Sequence, residues 1–292
     1  GEHEHRVGII AEIFALHAAY PDMITLEKYG ESVHGRPLLA MRISRNDGRK
    51  RPEALVAGNI HGNEYIANRL AMSVAQRLVE DADSDEWIAS LLDKIDFWTL
   101  PCINPDGYAK TWEMAGNGPW AVMRKNANGV DLNRNFPKYG PVWLRIAWAG
   151  SKKPENQYYR GPHPFSEPET QAVRDFVKKR RFFAAIDFHS WGGQFIPAKC
   201  PDHECVTNYK KMHKAFREKQ PHVKYYRLQF RWADQYTGEM EDMLYHEYGA
   251  LAVCVEISTT RNNRPRYKET RVKFWLNNPH NISFWVENDR DA

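Results

Sequence analysis

The sequence predicts an α/β fold, a sheet covered by helices on both faces. Three observations carry this. Apolar runs rich in β-branched residues alternate with stretches of helical periodicity. No internal repeat, low-complexity tract or Gly/Ser/Pro-rich linker divides the chain. The length of 292 residues suits one α/β unit, able to bury about three quarters of its unfolded surface without staples.

In chain order, "VGIIAEIFALHAAY" reads as a helix, followed by strands "MITLEKYG" and "PLLAMRIS". A strand "EALVAGNI" precedes the helix "YIANRLAMSVAQRLVEDA", and "IDFWTLPCI" follows as another strand. "SEPETQAVRDFVKKR" opens with a helix-start signal: Ser166 as cap, Pro168 in the first turn, and Glu169 placed to complete a capping box. Strand "FFAAIDFH", helices "VTNYKKMHKAFREKQ" and "GEMEDMLYHEYG", and strand "GALAVCVEIS" come next. A last helical stretch, "RVKFWLNNPHNISFWVEND", is interrupted by Pro279. Strands alternating with helices imply layers, and in such sheets ligands gather beyond the carboxyl ends of strands. "EALVAGNI" delivers His61 to such an end, and "FFAAIDF" delivers His189 to another.

Composition narrows the function classes. The charge is +4, from 41 basic and 37 acidic residues. The basic clusters "RNDGRKR" and "VKKRR" read as solvated faces, since no nucleic-acid motif accompanies them. No apolar run approaches the ~18 residues of a membrane span. The opening "GEHEHRVGIIAEIF" lacks the pattern of a signal peptide, and a leading Gly1 reads as a trimmed mature form. Cys102 and Cys254 lie in apolar runs, where a thiol behaves as a small hydrophobe. Cys200 and Cys205, in the polar "CPDHEC", suit a small disulfide or two free thiols; with His203 they also form a candidate metal set.

The stretch "NIHGNEYI" places His61 and Glu64 three apart, with Gly62 between, just after a strand. A catalytic zinc takes three protein ligands and keeps a position for water or substrate, and His and Glu are suitable donors. Alone, His-x-x-Glu is a weak pattern. Here it is followed in order by "NPDGY" at 104–108, "GVDLNRNFP" at 129–137, "YRGPHPFSEPET" at 159–170 and "IDFHSWGG" at 186–193. Together these motifs resemble the ordered signature of the M14 zinc metallocarboxypeptidases. The seven-residue spacing from Arg124 to Asp131 looks like that of the bacterial and regulatory branches.

The resemblance implies a single catalytic domain over 1–292, built on a twisted sheet of about eight mixed parallel and antiparallel strands. It implies one zinc per chain, held by His61, Glu64 and His189, with Asp131 accepting a proton from a ligand imidazole and fixing its tautomer. Glu256, near the end of "LAVCVEIS", is implied as the general base that passes a proton to the leaving amine. Asn133 and Arg134 of "DLNRN" are implied as the clamp on a C-terminal carboxylate, which suits the planar fork of Arg. Arg124, seven residues before Asp131, is implied to polarise the scissile carbonyl. Tyr236 matches the mobile tyrosine of the family. Glu241 matches the floor of the specificity pocket, and Cys254, two before Glu256 on one strand, faces the same side.

Digestive members carry an Arg before the ligand Glu, whereas this chain has Asn63. The implied substrates are peptide or protein C-termini, with a preference for Lys or Arg at the last residue. Three alternatives stay open: a peptidoglycan peptidase acting at diaminopimelate, an aspartoacylase-type deacylase, and a non-enzymatic scaffold. The deacylase shares the His-x-x-Glu and Asp-Leu-Asn-Arg elements, but "NPDGY", "SEPET" and the layout to Glu256 favour the peptidase. The family tendency and the 200/205 pair point to a secreted or periplasmic location, with the cytoplasm as the other option.

Overall fold

The computed structural model describes residues 8–114, 118–139, 150–190, 193–219, 227–228, 230 and 237–257. Its strands are β1 (Ile24–Glu31), β2 (Pro37–Ile43), β3 (Glu53–Gly58), β4 (Asp96–Leu100), β5 (Phe182–Ser190), β6 (Gln194–Pro197), β7 (Arg227–Leu228) and β8 (Leu251–Ile257). Its helices are α1 (Gly8–Ala19), α2 (Tyr65–Glu80), α3 (Glu86–Leu92), α4 (Pro105–Glu113), α5 (Trp120–Arg124), α6 (Pro168–Val177), α7 (His203–Lys219) and α8 (Met240–Tyr248). All eight strands join one sheet in the order β1-β2-β4-β3-β5-β8-β6-β7. The middle, β4-β3-β5-β8, is parallel, while β1-β2, β2-β4 and β8-β6 pair antiparallel.

The mixed sheet expected from the resemblance is therefore present, and the six strands read from apolar runs lie where their sequences placed them. Two strands were not read. β6 and β7 have only four and two residues, too few for period-2 alternation to register. The helical reading of 271–289 lies outside the described residues.

Alternation along the strands divides the core into two layers. Leu39, Met41 and Ile43 face Ile9, Ile13 and Leu16 of α1 and Ile66, Met72 and Leu78 of α2. On the other side Leu55, Ala57, Trp98 and Ala185 meet Val173, Phe176 and Val177 of α6 and Met243 and Leu244 of α8. Gly249, at φ 74°, ends α8 in the left-handed region, and its N–H returns to the Leu244 and Tyr245 carbonyls. Both layers leave the carboxyl ends of β3, β5 and β8 at one edge, where the functional motifs emerge.

The start of α6 differs from the expected capping box. Glu167 occupies the cap position without a side-chain bond to the helix, and Ser166 Oγ instead donates to Glu167 Oε1 at 2.7 Å. Glu169 is wholly buried and accepts from Val33 N and Asn126 Nδ2, both at 3.1 Å. It serves as a tie between the β1–β2 turn and the loop after α5, which a capping role would forbid. The same turn is held by Asp106 of "NPDGY", which accepts from Ser32 Oγ at 2.9 Å, His34 N at 3.0 Å and Arg36 Nη1 at 2.6 Å.

Burial pushes the Glu169 carboxyl up to about 7, against the hydrogen bonds from Asn126 and Val33 and with the help of nearby Asp106. The folded chain therefore holds this proton more tightly than the unfolded chain does. Its stabilising contribution is complete below about pH 4.5 and is lost as pH rises toward about 7. Between those limits the loss is about 3 kcal/mol. Urea unfolding across pH 4.5 to 8 should show Glu169→Gln losing that downward slope relative to the parent chain; parallel curves would contradict it.

Candidate metal centre and active site

β3 ends at Gly58, and the next residue, Asn59, takes φ 56°, a left-handed turn that Asn tolerates. Its Nδ2 donates to the His61 carbonyl at 2.8 Å, and Cys102 Sγ donates to its Oδ1 at 3.1 Å. The loop then packs on α4 so closely that a Cβ at Gly62 would lie 2.2 Å from the Gly107 backbone. This is why a glycine separates the imidazole from the carboxylate. Asn104 completes the junction. Its Oδ1 caps α4 through Gly107 N at 2.8 Å, while its Nδ2 donates to the Ile60 carbonyl at 3.3 Å.

From this platform His61 and Glu64 meet His189 of β5. His61 Nδ1 lies 2.9 Å from Glu64 Oε1, and His189 Nδ1 lies 3.0 Å from Glu64 Oε2. One donor atom from each residue falls within 4.8 Å of the others, and all three side chains are buried. Separations near 3 Å are what two bonds of about 2 Å to a shared ion leave between donors. Two imidazole nitrogens and one carboxylate are also a donor set that suits zinc, so residues and group fit. Burial works against ionising Glu64, yet the flanking His61 and His189 hold its carboxyl well below the usual range. Burial likewise disfavours the His189 imidazolium, and Asp187 and Glu64 outweigh it, raising its pKa.

Asp131 stands behind His61, with Oδ1 3.2 Å from Nε2, and accepts from Arg124 Nε at Oδ2 over 2.9 Å. Against the cost of burial, Arg124, Arg134 and His61 hold the Asp131 carboxyl far below its ordinary value. Arg124 Nη1 lies 3.6 Å from Glu64 Oε1, so its guanidinium edges the donor set. Buried Arg134 projects beside it, its Nη1 3.5 Å from Glu239 Oε1. Asn133 is turned inward: its Oδ1 accepts from Met240 N at 2.8 Å, capping α8, and its Nδ2 lies 3.5 Å from His189 Nε2.

Glu256 of β8 sits directly across from His189 in the parallel register. It is half-buried, and its Oε2 is shielded and has no hydrogen-bond partner among the described residues. Burial and the charge of Glu64 raise its pKa, giving a carboxylate more basic than a solvated one. Glu241 is 1% exposed, and its carboxylate, Cys254 Sγ and a His189 nitrogen lie within 4.8 Å of one another. The two residues expected in the pocket are thus adjacent to the donor set. Asn63 is buried, and among the described residues neither of its side-chain amide atoms has a hydrogen-bond partner. Tyr236 lies outside the described residues.

Two residues join the site that the sequence reading left out. Asp187 places Oδ2 2.9 Å from His189 Nε2. The signal was its position two residues before a strand-end histidine, which puts both on one face. Tyr158 presents its ring to both arginines, with Arg124 Cζ 5.6 Å and Arg134 Cζ 5.7 Å from the centroid. No local pattern marks it, because the loop that carries it folds back from "DLNRN": Asp131 N donates to the Tyr159 carbonyl at 2.8 Å. The Cys200–Cys205 pair is closed as a disulfide, which excludes a metal set with His203.

The zinc carboxypeptidase family model matches residues 9–289. The chain is 33% identical over 192 residues to carboxypeptidase A4 of Mus musculus, covering 63% of this chain and 43% of that protein. It thus spans less than half the length of that relative. Among solved structures, thrombin activatable fibrinolysis inhibitor superposes with a TM-score of 0.72 at 21% identity, over 96% of this chain and 71% of that one. The murein-tripeptide amidase MpaA from Escherichia coli O157 gives 0.52 at 18% identity, over 91% of each chain. At these identities the two structures speak for the fold.

The geometry makes a direct prediction. The chelator-stripped chain should take up one zinc, and His61→Ala should abolish that uptake, as read by direct metal analysis; full uptake by the variant would remove the site.

Proposed function

The chain belongs to the zinc carboxypeptidase family, and from that premise we propose that it hydrolyses the last peptide bond of peptides or proteins. One observation carries the reading: three buried donors, His61, Glu64 and His189, converge beside Glu256, whose shielded Oε2 has no hydrogen-bond partner among the described residues. Zinc held there supplies Lewis acidity, acidifying water and polarising a carbonyl. The chain's own groups do the rest.

Glu256 takes a proton from the attacking water as its oxygen bonds to the carbonyl carbon, then delivers it to the nitrogen as the C–N bond breaks. Its desolvated carboxylate has the raised basicity that this transfer needs. Arg124 keeps a full charge because Asp131 and Glu64 outweigh the cost of its burial. Its Nε is occupied by Asp131, which leaves the remaining N–H groups to face a developing oxyanion. Arg134 receives the terminal carboxylate, and Asn133, whose amide is turned inward to Met240 N and His189, holds the segment that carries it. Tyr158 supports both guanidiniums through its ring face.

Glu241 and Cys254 form the specificity pocket. A buried carboxylate this close to the reacting centre favours a cationic side chain, so the reading extends to Lys or Arg at the last residue. Diaminopimelate carries the same cationic end, and peptidoglycan peptides are the second reading. We read the chain as one catalytic domain, and the family match over 9–289 supports that reading. The Cys200–Cys205 disulfide supports a secreted or periplasmic location. Among the described residues no helix is long and apolar enough to cross a membrane.

Two measurements check this reading. Glu256→Gln should lower kcat by about 10²- to 10⁴-fold with zinc content unchanged; near-normal turnover would refute the base. Acyl-Lys dipeptides should be cleaved at least about tenfold faster than acyl-Phe, and Glu241→Gln should erase that difference. Faster release of Phe by the parent chain would refute the basic pocket.

A further inference from the structure

His189 has two ring nitrogens, and each faces a carboxylate. Nδ1 lies 3.0 Å from Glu64 Oε2, on the side where the three donors converge. Nε2 lies 2.9 Å from Asp187 Oδ2. A third group approaches the same nitrogen, Asn133 Nδ2 at 3.5 Å. The orientation of that amide is set by Met240 N, which donates to Asn133 Oδ1 at 2.8 Å, so the atom turned toward His189 is the NH₂. An NH₂ group cannot accept a proton from an imidazole N–H. Asp187 is the acceptor.

The surroundings of Asp187 make this pairing unusual. It is 2% exposed, and among the described residues its Oδ1 has no hydrogen-bond partner. Among the described residues its only ion-pair partner is His189. Asp131, behind the other imidazole, divides its charge between His61 Nε2 at 3.2 Å and Arg124 Nε at 2.9 Å. A buried carboxylate without a cation of its own is costly unless a partner compensates it. Among the described residues the compensation comes through His189.

We propose that Asp187 is the positioning residue for His189, locking the ring with Nε2–H donated to Oδ2 and Nδ1 turned to the metal, and that its undivided charge serves metal retention. The two carboxylates behind the histidines then have different tasks. Asp131 couples the metal centre to Arg124 and hence to substrate, while Asp187 acts on the metal alone. This inference rests on His61, Glu64 and His189 forming the zinc site.

The test compares the zinc-loaded full chain with its Asp187→Asn and Asp131→Asn variants in competition with a chromophoric chelator. Zinc uptake by the parent chain is the control, and a parent that binds none overturns the metal reading itself. Asp187→Asn should weaken zinc retention by about 10- to 100-fold while KM for a dipeptide, measured at saturating zinc, stays within about twofold. Asp131→Asn should move retention and KM together. Retention by Asp187→Asn equal to that of the parent would overturn the proposal. Should that variant not fold, ¹⁵N NMR of the imidazoles in the zinc-loaded parent decides. A protonated, hydrogen-bonded His189 Nε2 supports the assignment, and an unprotonated Nε2 overturns it.

Discussion

The carboxylate of Glu64 is the point on which the site depends. It lies buried between two imidazoles, one from its own loop and one from β5, at 2.9 and 3.0 Å. A buried anion needs compensation, and here the compensating groups come from residues 61 and 189, which only the parallel pairing of β3 with β5 can bring together. The outer groups are organised around the same charge. Arg124 reaches Glu64 from one side, Asp131 balances Arg124 and supports His61, and Asp187 supports His189. Placing Glu256 beside His189 through the β5–β8 register sets a raised-pKa carboxylate against this centre without any further device.

The motifs divide into those that carry chemistry and those that hold the chain for it. "NPDGY" is a brace: Asn104 caps α4 and holds the Ile60 carbonyl, Asp106 pins the β1–β2 turn, and Gly107 lets the His61 loop approach. Asn135 of "DLNRN" does the same for the following loop, donating to the Arg160 and His163 carbonyls and accepting from Thr170 Oγ1. Residues that read as catalytic company in sequence are thus partly scaffold, and the scaffold explains why the motifs occur together.

The central strands and long helices were legible because each spans enough residues for its apolar period to show, as "EALVAG" and "YIANRLAMSVAQRLVE" do. The convergence of His61, Glu64 and His189 was legible through strand ends and motif order. Short elements were not, since β7 has two residues and α5 five. Ser166 and Glu169 matched a local cap pattern, but tertiary contacts to Asn135, Asn126 and Val33 claimed both side chains. Tyr158 escaped because its role arises from partners on another segment, which no local spacing encodes. Asp187 was marked only by its place two residues before His189 on one strand, a spacing too common to single it out.

Every role assigned to these residues depends on one ion bound by three particular side chains. Anomalous diffraction across the zinc absorption edge, from crystals of the zinc-loaded chain, tests this most directly. The account predicts one strong peak about 2 Å from a nitrogen of His61, a nitrogen of His189 and an oxygen of Glu64. A peak elsewhere, or none at these residues with zinc in excess, would contradict it.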